Sequence, residues 1–183
     1  MTDQQIIQQI LSGNINTFEM LVRKYQQMVF RTAMGFVHSK EDAEDISQDV
    51  FLKAYSSLQQ FKGEAEFSTW LYRITINTAI NFVNRNKIKN LFDDIENVLS
   101  SMFNRVTDEK NIQEQMEANE KSRKIQKAIE SLNEKQKIAF ILSKYEELPQ
   151  KRIAEIMNTS EGAVEQLLQR AKINLQKKLS SIR

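Results

Sequence analysis

The sequence predicts an all-α protein of two small helical units, the second a helix-turn-helix, joined by a flexible linker. Two observations carry this. Apolar residues recur three and four apart along most of the chain, and only 4 glycines and 1 proline punctuate 183 residues, too few for the tight turns of a sheet protein. A third is a series of helix starts, each with a side chain suited to capping. The units are expected at residues 1–90 and 121–183, with a linker over 91–120 where composition shifts to Asp, Glu, Asn and Gln.

Thr2 with Gln5 reads as a capping box for a first short helix, and Gly13 as its stop. Asn14 is the expected cap of a second helix carrying Phe18, Leu21, Val22, Tyr25, Met28, Val29, Ala33 and Phe36 on one stripe. His38, the single histidine, falls at its end as a capping or surface residue. Ser39 and Asp42 open a third helix with Ala43, Ile46, Val50, Ala54 and Leu58 inward. Its other side carries Asp42, Asp45 and Asp49, flanked by Gln48 and Leu52. Acids in a first turn complement the helix dipole. That accounts for Glu41 and Asp42, less for Asp45, and not for Asp49. An acidic ridge two turns into a helix suits a basic protein surface and repels DNA.

The stretch FKGEAEFSTWLYRITINTAINFVNRNKIK follows over 61–89. Its first part is a loop containing Gly63 between Phe61 and Phe67, and Ser68 or Thr69 is the expected helix cap. ITINTAI alternates enough to pass for a strand, but the apolar pattern continues to Val83 without a turn, which favours helix. On that helix Trp70, Arg73, Asn77, Asn81 and Asn84 share one narrow face. Asparagine is a mediocre helix former, so this face is either merely solvated or built to hydrogen-bond. Base edges and phosphates would suit its carboxamides, arginine and indole. Within the linker, Ile95, Val98, Leu99 and Met102 form one small amphipathic run.

Periodicity returns with Ile125, Ala128, Ile129 and Leu132, and Asn133 with Gln136 caps a helix holding Ile138, Phe140, Ile141 and Leu142. Pro149 suits the first turn of a short helix with Ile153, Ala154, Ile156 and Met157 inward. Asn158-Thr159-Ser160 is a turn, and Ser160 caps a long helix with Val164, Leu168, Ala171, Leu175 and Leu179 as its buried stripe. Short helix, tight turn and long helix make a helix-turn-helix candidate. The long helix exposes Glu161, Glu165, Gln166, Gln169, Arg170 and Lys172, residue types that read base edges and phosphates; an ordinary helical hairpin would also fit. Gly162, costing roughly 1 kcal/mol in a helix, suggests close approach of another backbone.

Composition narrows the function classes. With no cysteine there are no disulfides, thiolate metal sites or cysteine nucleophiles, which fits a reducing cytoplasm. The start, MTDQQIIQQILSGN, has no basic region followed by an apolar run, and no stretch is apolar enough to cross a bilayer. A soluble, cytoplasmic protein is expected. The net charge of +2 conceals acidic segments at 41–49 and 93–120 and basic ones at 85–89 and 170–183, which implies different partners at different places.

DAEDISQDVFLKAY, FKGEAEFSTWLYRITINTAINF and RIAEIMNTSEGAVEQLLQRAKINLQKKL, in this order and spacing, resemble three successive signatures of the bacterial ECF (extracytoplasmic-function) sigma factors. These are the small two-domain specificity subunits of RNA polymerase. The resemblance implies that Asp42, Asp45, Gln48, Asp49 and Lys53 dock on the clamp helices of the largest polymerase subunit. It implies that Phe61, Lys62, Phe67, Thr69, Trp70, Arg73, Asn77, Asn81, Asn84 and Arg85 recognise and open the −10 element. Arg152, Ser160, Glu165, Gln166, Gln169, Arg170 and Lys172 would read the −35 element as duplex. The linker would thread through the polymerase. Implied partners are core RNA polymerase (its clamp helices and flap region), promoter DNA and an anti-sigma factor, with no cofactor, no metal and no small-molecule substrate. Three positions depart from the family pattern: Asn158 replaces a frequent glycine, Arg152 a common glutamate, and Glu165 a frequent basic residue. Glu165 leaves the −35 sequence open.

Two other classes compete. A one-component helix-turn-helix regulator would use residues 1–110 as a sensor or dimerisation domain. An enzyme would place a metal on Asp42, Asp45 and Asp49, but facing ligands are missing from the sequence pattern, so no catalytic role is expected.

Overall fold

The computed structural model describes residues 1–101 and 114–180, and every regular element among them is helical. Helix α1 (Asp3–Leu11) starts in the expected capping box and stops at Gly13, whose φ of 105° is open to glycine at little cost. A 3-10 turn (Ile15–Thr17) then leads into α2 (Phe18–Val37). Asn14 makes no side-chain cap there, because the 3-10 turn takes up the chain reversal instead. His38 closes α2 in the left-handed conformation. Ser39 caps α3 (Lys40–Ser56) by accepting the Asp42 N–H.

After a second 3-10 turn (Leu58–Gln60) and the Gly63 loop comes α4 (Phe67–Ser101). The ITINTAI segment lies inside it as helix. Strand-like alternation is overruled because Leu71, Ile76 and Ala79, at helical spacing, are all buried. The helix begins at Phe67, one residue ahead of the expected caps, and runs on through 91–101, the first part of the segment read as linker. Met102 lies outside the described residues. Helix α5 (Glu114–Glu130) is followed by α6 (Glu134–Lys144), capped as expected by Asn133. Then come α7 (Gln150–Met157) and α8 (Glu161–Ser180).

Helices α2, α3 and α4 pack into one bundle, with Leu21, Val29, Ile46, Val50, Leu58 and Leu71 at 1 % exposure or less. A second group forms where α6, α7 and α8 meet over Ile141, Leu142, Ile153 and Val164, all fully buried. The two groups share one continuous core: α6 and α7 lie against α2 and α4. At about 25 cal/mol per Å², a fully buried leucine or isoleucine contributes roughly 2 kcal/mol or more. Gly162 has open space where a Cβ would stand, so no described part of the chain itself approaches it; the glycine sits exposed in the first turn of α8. The crowded glycine is Gly35, in the last turn of α2, where a Cβ would lie 2.7 Å from Cγ2 of Ile141 on α6.

Candidate nucleic-acid interface

The acidic ridge on α3 is exposed at Asp45, Gln48 and Asp49, while Asp42 is half-buried at the helix start. Beside it Leu52 stands 68 % exposed, although apolar. A groove lined by Ile15, Phe18, Val22, Phe51 and Tyr55 joins the ridge at Gln48 and Leu52. A carboxylate ridge edged by open apolar surface has the composition of a protein interface, with charge around an apolar centre. Lys53 turns away from it and donates to the Thr78 hydroxyl at 3.2 Å, tying α3 to α4.

The α4 stripe is formed as the spacing required. Arg73, Asn77, Asn81 and Asn84 are exposed and Trp70 is half-buried. Phe61, Phe67 and Trp70 form a ring cluster with centroids 5.3–5.6 Å apart, joined by Tyr25 from α2. Within it Phe67 is only 3 % exposed and acts as the floor beneath Phe61 and Trp70. Thr69 does not lie on the stripe. It is 2 % exposed and its hydroxyl finds no hydrogen-bond partner among the described residues. One residue before Trp70 is a rotation of about 100°, which carries Thr69 into the core. Arg85 also leaves the stripe: it lines a groove with Asp45, Gln48 and Asp49, where the acidic ridge faces the far part of α4. Lys62 is exposed in the Gly63 loop.

In the second unit the short helix, turn and long helix are present as α7, Asn158–Ser160 and α8. Asn158 adopts the left-handed conformation (φ 50°) in place of glycine, and the Ser160 hydroxyl accepts the Ala163 N–H. Glu165, Gln166, Gln169, Arg170 and Lys172 are exposed on α8. Gln169 donates to Glu165 at 3.4 Å, a weak local pairing that leaves both available.

The contacts between the units are not legible in the sequence. Arg73 donates to the Glu155 and Ile156 carbonyls at 2.7 and 3.0 Å, capping the end of α7. Arg152 on α7 pairs with Glu66 at 2.8 Å and donates to the Ser68 hydroxyl, so it is not a free phosphate contact here. Glu146 accepts from the Tyr72 hydroxyl at 2.9 Å and from Arg31 at 3.1 Å. Burial pushes its carboxyl above the ordinary range, against the pull of Tyr72, Arg31 and Thr32. Lys137, itself buried, donates to the Phe36 carbonyl at the end of α2. Its ammonium is pulled below the usual lysine range by that burial.

Among the described residues no cluster of acidic or histidine side chains is arranged to hold a metal. The sigma-70 region 2 family matches residues 21–88, and the sigma-70 region 4 family matches residues 122–175. The RNA polymerase sigma-H factor of Pseudomonas aeruginosa is 31 % identical, over 98 % of this chain and 95 % of its own. The ECF RNA polymerase sigma-E factors of Haemophilus influenzae and Escherichia coli K12 are 32 % and 31 % identical over 100 % of this chain and 97 % and 96 % of theirs. The chain belongs to the ECF sigma factors. Solved structures share the ECF sigma fold described above. CnrH, in complex with the cytosolic domain of CnrY, superposes with a TM-score of 0.67 at 22 % identity, over 98 % of this chain and 97 % of that one. The sigma factor RpoE, with the anti-sigma factor NepR from Bartonella quintana, gives 0.53 at 20 % identity, over 91 % and 98 %. Among the described residues no helix is long and apolar enough to cross a membrane.

Proposed function

We propose that the chain directs core RNA polymerase to specific promoters, docking through α3 and reading DNA through α4 and α8. The observation that carries this reading is full-length likeness to sigma factors at about 31 % identity, with the three functional segments in order. Asp42, Asp45, Gln48 and Asp49, with the apolar edge around Leu52, form the polymerase surface. Trp70, Phe61 and Lys62 engage the unpaired −10 strand, with Arg73, Asn77, Asn81 and Asn84 along the adjoining DNA. Arg85, placed beside the acidic ridge, serves the junction of polymerase and DNA. Glu165, Gln166, Gln169, Arg170 and Lys172 read the −35 duplex, with Ser160 and Arg152 near the backbone.

Strand opening needs no covalent chemistry. Bases captured on Trp70 and the aromatic loop offset an unstacking cost of a few kcal/mol, so the protein works by binding, without catalysis, in the cytoplasm. An anti-sigma factor is a further partner in this reading. Because the formal charge is only +2, the free chain holds DNA weakly and the polymerase supplies the remaining grip.

Transcription in vitro with core polymerase from a related bacterium, with start sites mapped, tests the function. Discrete starts that depend on the chain are expected. Equal DNA affinity with and without core polymerase would refute the division of labour.

A further inference from the structure

Helix α1 carries no role in the reading above, and the sigma-70 region 2 match starts at residue 21, beyond its end. Its first residue nonetheless reaches the surface assigned to strand capture. Asp3 follows directly on the Thr2 cap of α1. One of its carboxylate oxygens accepts the Tyr25 hydroxyl and the other accepts the Lys24 ammonium. The Asp3 side chain is only 22 % exposed, so this is not a solvated surface pair of little worth. An acid in a first turn complements the helix dipole. That explains a carboxylate at position 3, but not a tyrosine 22 residues on that reaches it. Burial pushes the Tyr25 phenol up to about 12, with the Asp3 hydrogen bond adding to it, so the hydroxyl stays a donor at neutral pH.

The Tyr25 ring carries this tie on to the aromatic cluster. It lies against Phe67, with centroids 5.5 Å apart and planes at 56°. Phe67 meets Phe61 edge to face at 5.6 Å and Trp70 at 5.5 Å. Phe61 and Trp70 are the rings proposed to receive an unpaired base, and Phe67 is the floor under both. Tyr25 backs that floor and is itself pinned at its hydroxyl by Asp3. The loop 62–66 between Phe61 and Phe67 is exposed throughout, so the Phe61 ring is placed by what it packs on. Helix α1 supports that end too, since it lies against the 3-10 turn Leu58–Gln60 that leads into Phe61.

We infer that Asp3 is a positioning residue for strand opening. By holding the Tyr25 hydroxyl it fixes the back wall of the ring cluster, and with it the angle at which Phe61 and Trp70 meet a base. The consequence for opening rests on the function proposed above; the pinning of the cluster does not.

Trp70 is the single tryptophan, so its emission reports on the cluster in the free chain. Tyr25→Phe keeps the ring and removes the hydroxyl, without touching the start of α1. Asp3→Ala removes the acceptor, whereas Asp3→Asn keeps a carbonyl acceptor and drops the charge that pairs with Lys24. Acrylamide should quench Trp70 more readily in Tyr25→Phe and Asp3→Ala than in the wild type, and Asp3→Asn should restore the wild-type response.

The second readout is run-off transcription with core polymerase, on a promoter taken from the start-site mapping. A base stacked on an aromatic ring is worth about 5- to 150-fold. Tyr25→Phe and Asp3→Ala should therefore lose at least about fivefold on duplex template, with capture of core polymerase unchanged. On a template already mismatched across the −10 stretch, at saturating polymerase, they should match the wild type, because no unstacking cost remains to be offset. Unchanged quenching, wild-type transcription from the duplex, or an equal loss on both templates overturns the inference. So does a loss in Asp3→Asn and Asp3→Ala with Tyr25→Phe unaffected, which would place the effect on Lys24. If the wild type itself gives no transcript, the proposed function falls, and the quenching still decides whether Asp3 pins the cluster.

Discussion

Replacing Gly35 by alanine sets two effects against each other, and the structure assigns each to a different equilibrium. Gly35 lies in the last turn of α2, so within the helix the change relieves at most the roughly 1 kcal/mol of an interior glycine. Across the interface the new methyl would stand 2.7 Å from Ile141 Cγ2, well inside the 3.5–4.0 Å of a relaxed carbon contact. Ile141 is fully buried, and its β-branched side chain has few rotamers to retreat into. Overpacking of this kind costs about 1–3 kcal/mol, a shift of roughly 5- to 150-fold toward separation of the two units. The variant should therefore be more expanded in solution while its helices melt no earlier. Small-angle scattering reads the first and thermal circular dichroism the second. An unchanged radius of gyration, or a drop in melting temperature of the whole chain, would refute the reasoning.

Burial holds the His38 imidazole below its ordinary value of 6.5, with Lys137 adding to the effect and Glu130 opposing it. Its contribution to the packing of the two units is thus present above pH 6.5 and lost as pH falls through the lowered value. Glu146, raised above 4.5, contributes with the opposite sign, fully below pH 4.5 and fading as pH rises through its raised value. The radius of gyration of the free chain should rise on mild acidification, and His38→Gln should abolish that rise; a rise that persists in the variant would exclude His38. Asp45→Ala with Asp49→Ala should weaken capture of core polymerase by at least roughly tenfold in a pull-down, with helicity intact; unchanged capture would make the ridge a solvated face. Gln169→Ala should cost about 1–3 kcal/mol of discrimination at one −35 position, whereas Lys172→Ala should lower affinity evenly and reduce the salt slope by about one. Leu71→Ala, at a fully buried site, should cost about 2–5 kcal/mol in urea unfolding.

The helices were legible because local rules settle them: capping at Thr2, Ser39, Asn133 and Ser160, and apolar spacing that outweighs the strand-like look of ITINTAI. The exposed stripe on α4 and the open face of α8 follow from the same periodicity. What stayed hidden depends on through-space neighbours. Thr69 and Phe67 came in as −10 contacts with the resemblance, yet both are buried, Thr69 by helical rotation and Phe67 beneath the rings of Phe61 and Trp70. Arg85 came in with the resemblance as a −10 contact beside the asparagines, yet it borders the α3 acids. Asn14 lost its capping role to a 3-10 turn. Gly162 drew notice as a helix glycine but meets nothing, while Gly35, equally helical, marks where α6 approaches. No spacing rule pairs Tyr72 with Glu146, 74 residues apart, although a tyrosine among the apolar positions of α4 was the available hint.

The pairing of Arg73 with the last carbonyls of α7 carries a design constraint. Those oxygens are partially negative acceptors clustered at a helix end, so to a guanidinium they imitate the oxygens of a nucleic-acid backbone. The protein thus carries a decoy for its own ligand. In the DNA-reading role proposed for Arg73, any change that strengthens the grip of position 73 on phosphate also strengthens its grip on the decoy. Affinity for DNA in isolation cannot be raised at that position without raising self-capture, so selection for tighter promoters has to act elsewhere, on residues that the contacts between the units leave idle.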